Sequence, residues 1–178
     1  MAVLEPEPEP EMTPEMAPEP RPLLSVAPMM AWTTHHYRAM ARLLSKRALL
    51  YTEMYPVDAV LAASAKGDAA LAALLAFDPA QKPLAVQLGG SDPETMGAAA
   101  ELCARFGYDE INLNIGCPSG KVHDGGFGAC LMEQPALVQQ LAAASRRAVP
   151  AHVAVTVKHR HHRLGPAACR ICSGARRR

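Results

Sequence analysis

The stretch that decides the fold is PLAVQLGGSDPETMGAAAELCARFGYDEINLNIGCPS, residues 83–119. It holds two short apolar runs, Leu84–Leu88 and Ile111–Ile115, whose length and composition are typical of buried strands. Between them, Asp92 followed by Pro93 is a helix-start signal, because aspartate caps a first turn and proline needs no amide donor there. The stretch therefore predicts a strand–helix–strand unit.

The same alternation continues on both sides of this unit. Further strands are predicted at Leu23–Ala27, Ala48–Met54 and His152–Val157, and further helices after Thr33 or Thr34 and at Val57–Ser64, Asp68–Phe77 and Pro135–Arg147. In the first of these helices, Tyr37, Met40, Ala41 and Leu44 have the spacing of an apolar helix face. Strand–helix alternation predicts an α/β fold with a parallel sheet. The spacing is compatible with an open doubly wound sheet and with a closed barrel.

The two ends of the chain differ in composition from this central part. Residues 1–21 are a Glu/Pro-rich arm with a charge of −6 in its first 20 residues, and we expect it to be disordered. Residues 161–178 have no apolar period and no acid, which predicts an unstructured basic tail. Zinc binding by Cys169, Cys172 and nearby histidines, or nonspecific RNA binding, are alternatives for this tail. The folded domain is expected at residues 22–160.

The composition of the 178-residue chain argues against several classes of protein. No run approaches the roughly 18 apolar residues of a membrane span, and no secretory signal is visible at the N-terminus. Five cysteines without secretory context indicate reduced thiols rather than a disulfide framework. We therefore expect a cytoplasmic protein, with an organellar location as the alternative, and neither a membrane partner nor a resident metal. The oligomeric state is not indicated.

Side-chain parity gathers polar groups on one face of the predicted sheet. Successive strand residues point to opposite faces, so Gln87, Asn112, Asn114 and Lys158 lie opposite the apolar faces of their strands. Burying such groups without partners costs about 1–3 kcal/mol for each neutral one. Because α/β folds bind ligands at the carboxyl ends of their strands, the pattern predicts a polar ligand site there. The alternative is a polar core layer of mutual hydrogen bonds, which is favoured more for the two asparagines than for Lys158.

Cys117 follows a predicted strand directly, on the turn Gly116–Ser119. A thiol at the mouth of the sheet can act as a nucleophile or as a general acid. The alternative is a small buried apolar residue. The glycine cluster Gly125–Gly128 lies close to this turn in sequence and would allow the backbone to approach a ligand closely.

Six motifs occur in order between residues 21 and 160, namely RPLLSVAPMMAWT, ALLYTEM, PLAVQLGGSDP, YDEINLNIGCPSGKV, GGFGACLM and VAVTVKHR. Together they resemble the tRNA-dihydrouridine synthases, and most of all the branch that acts on uridines 20 and 20a of the D-loop. The resemblance implies a flavin-binding (β/α)8 TIM barrel, of which this chain holds about the first five strands. It also implies that FMN, reduced by NADPH, reduces the C5–C6 double bond of uridine in tRNA.

The resemblance further implies roles for individual residues. The assigned residues are Cys117 as the proton donor to uracil C5; Pro28, Met29, Met30, Gln87 and Lys158 around the FMN; and Asn114 and Arg160 at the uridine. For Gln87, Asn114 and Lys158, the parity argument and the resemblance agree.

The sequence departs from the family pattern at two places. Ala31 stands where family members usually carry aspartate. Beyond Arg160 the resemblance ends, before the histidine and glycine loops that hold the FMN phosphate and before the helical domain that grips tRNA. We therefore expect a truncated, alternatively spliced or frame-shifted product that binds FMN weakly and is inactive alone. A non-catalytic RNA- or protein-binding fragment is the alternative function.

Overall fold

The computed structural model describes residue 22 and residues 24–160. In this part of the chain four strands form one sheet: β1 (Leu50–Pro56), β2 (Leu84–Gly89), β3 (Glu110–Asn114) and β4 (Ala154–Lys158). All three neighbouring pairs are parallel. The first predicted strand is present only as a parallel bridge between Ser25 and Leu49, next to β1.

The connections between the strands are mostly helical. The helices are α1 (His35–Leu44), α2 (Val57–Ala65), α3 (Asp68–Leu75), α4 (Pro93–Ala104), α5 (Gly120–Asp124) and α6 (Pro135–Ala148), with 3-10 turns at Pro79–Gln81 and Gly128–Glu133. The predicted cap of α4 is confirmed, because Asp92 Oδ1 accepts from the Thr95 amide at 2.8 Å. Thr34 caps α1 in the same way, accepting from the Tyr37 amide at 3.4 Å.

The order of the strands distinguishes the two sheet types that the sequence left open. The sheet runs β1–β2–β3–β4, so each strand along the chain lies beside the one before it and the order does not reverse. A doubly wound sheet reverses its order at a switch point, whereas a (β/α)8 barrel adds every strand on the same side. The architecture therefore agrees with the first part of a TIM barrel.

The apolar faces of the strands pack against the helices. Leu88 of β2 and Ile111 of β3 are fully buried, together with Met96 of α4 and Leu141 of α6. Full burial of one such side chain contributes about 1.5–3 kcal/mol, so this interface carries much of the stability. Because the helices cover this face, the polar residues of the strands lie on the other face of the sheet.

Helix α1 buries only part of the face that its apolar spacing predicts. Ala41 of that face is buried, but Met40 and Leu44 are 52% and 83% exposed. Arg38 and Arg42 are buried beside Ala41. Arg38 Nε donates to Gln81 Oε1 at 2.9 Å, and Arg42 Nη2 donates to the Gln81 carbonyl at 2.8 Å. The prediction was wrong for Met40 and Leu44, because two guanidinium groups with several donors each take up the buried side of the helix and satisfy the polar loop that precedes β2.

The predicted N-terminal arm at residues 1–21 and the basic tail at residues 161–178, with Cys169 and Cys172, lie outside the described residues. In the described part of the chain, no three His, Cys, Asp or Glu side chains are grouped closely enough to hold a metal ion. No helix in that part has the length and apolar character to cross a bilayer.

Candidate active site

The sheet brings the predicted polar residues to one face at its carboxyl end. Gln87 of β2 lies opposite Asn112 of β3, and Asn114 lies opposite Lys158 of β4. Met54 of β1 lies opposite Gln87, after an irregularity in the register of β1. The parity argument therefore placed these side chains correctly.

Most of these side chains hydrogen-bond to one another, as the alternative reading of the sequence proposed. Gln87 Nε2 donates to Asn112 Oδ1 at 2.7 Å, and Asn112 Nδ2 donates to Thr156 Oγ1 at 2.7 Å. Asn114 Nδ2 donates to Gln87 Oε1 at 3.2 Å. A polar layer thus crosses β2, β3 and β4 and removes the cost of burying unpaired amides.

Glu110 and Tyr51 complete this layer, although neither is among the predicted site residues. Thr156 Oγ1 donates to Glu110 Oε1 at 2.5 Å, and the Tyr51 hydroxyl donates to the same oxygen at 2.7 Å. Glu110 lies two residues before Asn112, and Tyr51 lies opposite Ala85, two residues before Gln87. The alternation of strand side chains that places Gln87 and Asn112 on this face therefore also predicts Glu110 and Tyr51 there.

Asn114 holds the turn that carries Cys117. Its Oδ1 accepts from the Gly116 amide at 3.1 Å and from the Cys117 amide at 3.0 Å. This is an Asx turn, in which a side chain satisfies the backbone two and three residues later. Because Asn114 also contacts Gln87, the Cys117 backbone is linked to the polar layer of the sheet. The Cys117 side chain belongs to a half-buried residue rather than to a sealed apolar interior.

The glycine cluster packs against this turn from the other side. The Ala129 amide donates to the Cys117 carbonyl oxygen at 2.9 Å. Gly128 has a φ of +77°, and a Cβ there would lie 2.7 Å from the same carbonyl oxygen. The Phe127 ring lies against Gly89, where a Cβ would come within 2.6 Å of it. These glycines are therefore required by close packing within the protein.

Lys158 and Arg160 take different positions at the end of β4. Lys158 is exposed, and its ammonium group makes no hydrogen bond within the described range of residues. Arg160 Nε donates to the Gly116 carbonyl at 2.8 Å. A Cβ on Gly116 would lie 2.9 Å from the His159 carbonyl carbon, so the two loops touch. Arg160 thus holds the Cys117 turn through its neighbour, whereas Lys158 is available to a ligand.

Pro28, Met29 and Met30 form the loop at the carboxyl end of the first extended segment. Pro28 is half-buried, and Met29 and Met30 expose 39% and 60% of their surface. Ala31, which follows them, has a φ of 61°, and its amide donates to Glu53 Oε1 at 2.6 Å. The loop is therefore fixed to β1 at the same end of the sheet as Cys117.

A groove of about 1130 Å³ runs along the face of the sheet that the helices do not cover. Asn112, Glu110, Thr156 and Lys158 line it together with Pro28. Cys117 lies outside this lining. The groove is large enough for a planar cofactor-sized ligand, with Lys158 and Pro28 at the end where the strands finish.

The family of the chain follows from comparison with known proteins. A model of the dihydrouridine synthase family (Dus) matches residues 25–169. The tRNA-dihydrouridine(20/20a) synthase of Xanthomonas axonopodis pv. citri (strain 306) is 53% identical over 137 residues, which are 77% of this chain and 39% of that protein. The synthases of the same name from Synechocystis sp. (strain ATCC 27184 / PCC 6803 / Kazusa) and Vibrio parahaemolyticus serotype O3:K6 (strain RIMD 2210633) are 51% and 50% identical, with the same coverage. The chain thus spans about two fifths of the length of the curated relatives it matches. The resemblance drawn from the motifs is confirmed: the chain belongs to the dihydrouridine synthase family.

Proposed function

We propose that this chain belongs to an enzyme that forms dihydrouridine in the D-loop of tRNA. It carries the proton-donating thiol and part of the cofactor-facing surface at the carboxyl end of the sheet, which we call the rim. The reaction is reduction of the C5–C6 double bond of uridine, with FMN as the cofactor and NADPH as the reductant. The observation that carries the proposal is the fixed position of Cys117, on a turn tied by Asn114 to the polar rim of the sheet. Relatives named as tRNA-dihydrouridine synthases support it.

The residues at this rim fit the polar edge of a flavin ring. Lys158 offers an ammonium group without a hydrogen-bond partner in the described residues, and Pro28 offers an apolar surface beside it. Gln87 is buried, lies outside the groove lining and donates to Asn112, so its contact with the flavin stays a prediction from the resemblance. Together Lys158 and Pro28 suit the carbonyl and nitrogen edge of an isoalloxazine. FMN bound there supplies hydride chemistry.

Cys117 would supply the proton. When hydride reaches uracil C6, electron density develops at C5, and an acid placed beside C5 assists the reaction. The thiol proton moves to C5 and leaves a thiolate, which regains a proton from solvent. The uridine must leave its stack to reach this position, as in other enzymes that act on a base.

Asn114, assigned to the uridine by resemblance, has little free hydrogen-bonding capacity in this structure. Its Oδ1 accepts from Gly116 and Cys117, and its Nδ2 donates to Gln87 Oε1 and, at 3.1 Å, to Met54 Sδ. A thioether is a weak acceptor, so the contact with Met54 is the one that a uracil carbonyl would replace. Asn114 is therefore proposed to bind the uridine through the N–H that now contacts Met54. Arg160 would add a positive charge for the tRNA backbone near the same turn.

The proposed setting is the cytoplasm, with tRNA as the macromolecular partner. Arginine and lysine contacts to phosphate supply most of the affinity of such complexes. Binding of tRNA to the chain should therefore weaken steeply as the salt concentration rises.

The first experiment is flavin analysis of the purified chain. Absorbance in the flavin band at one FMN per chain supports the proposal and overturns the expectation that the chain binds FMN weakly. Absence of flavin after reconstitution with excess FMN contradicts the cofactor assignment. It would favour the alternative of a non-catalytic RNA- or protein-binding fragment.

The second experiment replaces Cys117 by alanine at the chromosomal locus and measures dihydrouridine in cellular tRNA. We expect a loss of about 100-fold or more in the rate of uridine reduction, since a positioned general acid contributes about 10²–10⁴. Cys130→Ala is the matched control, because this half-buried thiol donates to the Phe127 carbonyl and is not one of the groups of the polar layer. Unchanged dihydrouridine in the Cys117 variant would remove the acid assignment.

A further inference from the structure

The hydrogen bonds of the polar layer all run in one direction. Starting at the Cys117 turn, each group donates to the next and accepts from the one before. The order of the groups is the Gly116 and Cys117 amides, Asn114, Gln87, Asn112, Thr156 and Glu110. We call this series the amide chain. It crosses β3, β2, β3 again and β4, and it ends at a carboxylate.

The chemistry of the two ends explains this direction. The backbone amides of Gly116 and Cys117 can only donate, and an ionised Glu110 carboxylate can only accept. The side-chain amides and the hydroxyl between them can face either way. With a fixed donor end and a fixed acceptor end, a single orientation satisfies every group.

Glu110 is enclosed enough to set this orientation. Only 8% of its surface is exposed, and two hydroxyl groups donate to the same carboxylate oxygen, at 2.5 Å from Thr156 and 2.7 Å from Tyr51. Hydrogen bonds to a charged acceptor are shorter and stronger than those between neutral groups. Chains of such bonds also polarise one another, so the anion strengthens the bonds farther along the series.

We propose that Glu110 is a positioning residue for the Cys117 turn and acts through the amide chain. It fixes Thr156, which fixes the amides of Asn112, Gln87 and Asn114 in turn, and Asn114 holds the Cys117 amide. The role of that turn in catalysis rests on the proposed function. The geometric link between Glu110 and the Cys117 backbone does not depend on it.

The test is amide hydrogen exchange at Gly116 and Cys117 in the full 178-residue chain. Glu110→Ala removes the acceptor end, and we expect exchange at both amides to become about tenfold faster than in the unmodified chain. Glu110→Gln keeps an oxygen that accepts from Thr156, so it should restore most of the protection. Exchange is expressed relative to the Leu88 amide of β2, which corrects for a change in global stability.

Ser145→Ala is the matched control. The Ser145 hydroxyl is fully buried and donates to the Leu141 carbonyl within α6, on the helix side of the sheet. It loses one buried hydrogen bond without touching the amide chain, so the Cys117 amide should keep its protection. Thr156→Val is a second variant of nearly unchanged shape, which cuts the chain one link nearer to Cys117 and should also speed exchange there.

The outcomes separate this inference from the proposed function. Equal exchange of the Cys117 amide in Glu110→Ala and Ser145→Ala, or no rescue by Glu110→Gln, overturns the positioning role. Faster exchange in a chain that neither binds FMN nor acts on uridine supports the link and contradicts the proposed function alone. In an active enzyme, Glu110→Ala should lower kcat more than it raises KM for tRNA, because Glu110 is buried and is linked to the Cys117 turn through the amide chain.

Discussion

Replacement of Gly128 by alanine should strain the backbone at this position and displace the Cys117 turn. Gly128 has a φ of +77°, which costs an L-residue about 1–2 kcal/mol. Its Cβ would also meet a Val122 methyl group and lie 2.7 Å from the Cys117 carbonyl oxygen. The oxygen belongs to backbone held by Asn114 and cannot move freely, so overpacking adds about 1–3 kcal/mol.

Gly126 provides a control for the backbone conformation alone. Its φ is +72°, and the nearest atom to a Cβ there is Ser91 Oγ at 3.6 Å, an ordinary contact. Gly126→Ala therefore carries the same left-handed strain without the clash. Alanine also restricts the unfolded chain, which offsets about 0.4–1 kcal/mol of the strain in both variants. The difference between the two variants isolates the contact with the Cys117 turn.

Urea unfolding of both variants measures this difference. Gly128→Ala should unfold with a free energy about 1–3 kcal/mol lower than Gly126→Ala. The rate at which iodoacetamide alkylates Cys117, followed by peptide mass spectrometry, should change in Gly128→Ala alone. Equal stabilities and equal alkylation rates would show that Gly128 does not support the thiol turn, and the packing argument would fail.

Three further predictions concern other parts of the chain. Asparagine tolerates the left-handed backbone of Ala31, so Ala31→Asn should raise the free energy of unfolding in urea by about 0.5–1 kcal/mol. Ala31→Gly should raise it less, because glycine loses more entropy on folding. A lower free energy of unfolding in both variants would show that the Ala31 backbone is not strained. Backbone amides in the first turn of α4 hold the pKa of Asp92 below its ordinary value. This contribution is complete above the unfolded pKa and is lost as the pH falls through the folded one, so the difference in unfolding free energy between the unmodified chain and Asp92→Ala should shrink below about pH 4 and stay constant above about pH 5. Burial raises the pKa of the Cys103 thiol to about 12, so at about pH 8 iodoacetamide should modify Cys117 and spare Cys103 until the chain unfolds, and equal rates would contradict the buried position of Cys103.

The central strand–helix–strand unit could be predicted almost to the residue because its signals are local. Asp92 and Pro93 fix the start of α4, and Gly107, with a φ of +83°, follows its end. The apolar runs that flank this helix became β2 and β3 with boundaries shifted by one residue. In each case the residues that set the structure lie within a few positions of it.

Helix α1 could not be oriented from its own sequence. Its apolar spacing placed Ala41 correctly but also pointed to Met40 and Leu44, whereas Arg38 and Arg42 are buried instead. Their partner, Gln81, lies about forty residues away in sequence and offers both a side-chain amide and a carbonyl oxygen. A periodicity argument weighs apolar area alone and takes no account of hydrogen bonds formed across such a distance.

The candidate site was predictable in position and not in its internal bonding. Parity placed Gln87 and Asn114 on one face, and the motif placed Cys117 next to them. The alternation of side chains also places Glu110 on this face. A carboxylate at the start of a strand is nevertheless expected to face solvent unless its hydrogen-bond partners are known. The hydroxyls of Thr156 and Tyr51, which reach it from β4 and β1, made it the end of the amide chain.

The strand order of the sheet explains why one polar layer both satisfies the buried amides and holds the Cys117 turn. The strand order does not reverse and the helices pack against the apolar faces of the strands, so the polar faces of β2, β3 and β4 meet on the opposite side. The side-chain amides and the Thr156 hydroxyl can each donate and accept, so these groups alone do not select the direction in which the series runs. The direction is selected by Glu110 at one end and by the backbone amide of Cys117 at the other. The hydrogen bonds that satisfy these buried amides therefore also link the Glu110 carboxylate, at the start of β3, to the Cys117 turn that follows the end of β3.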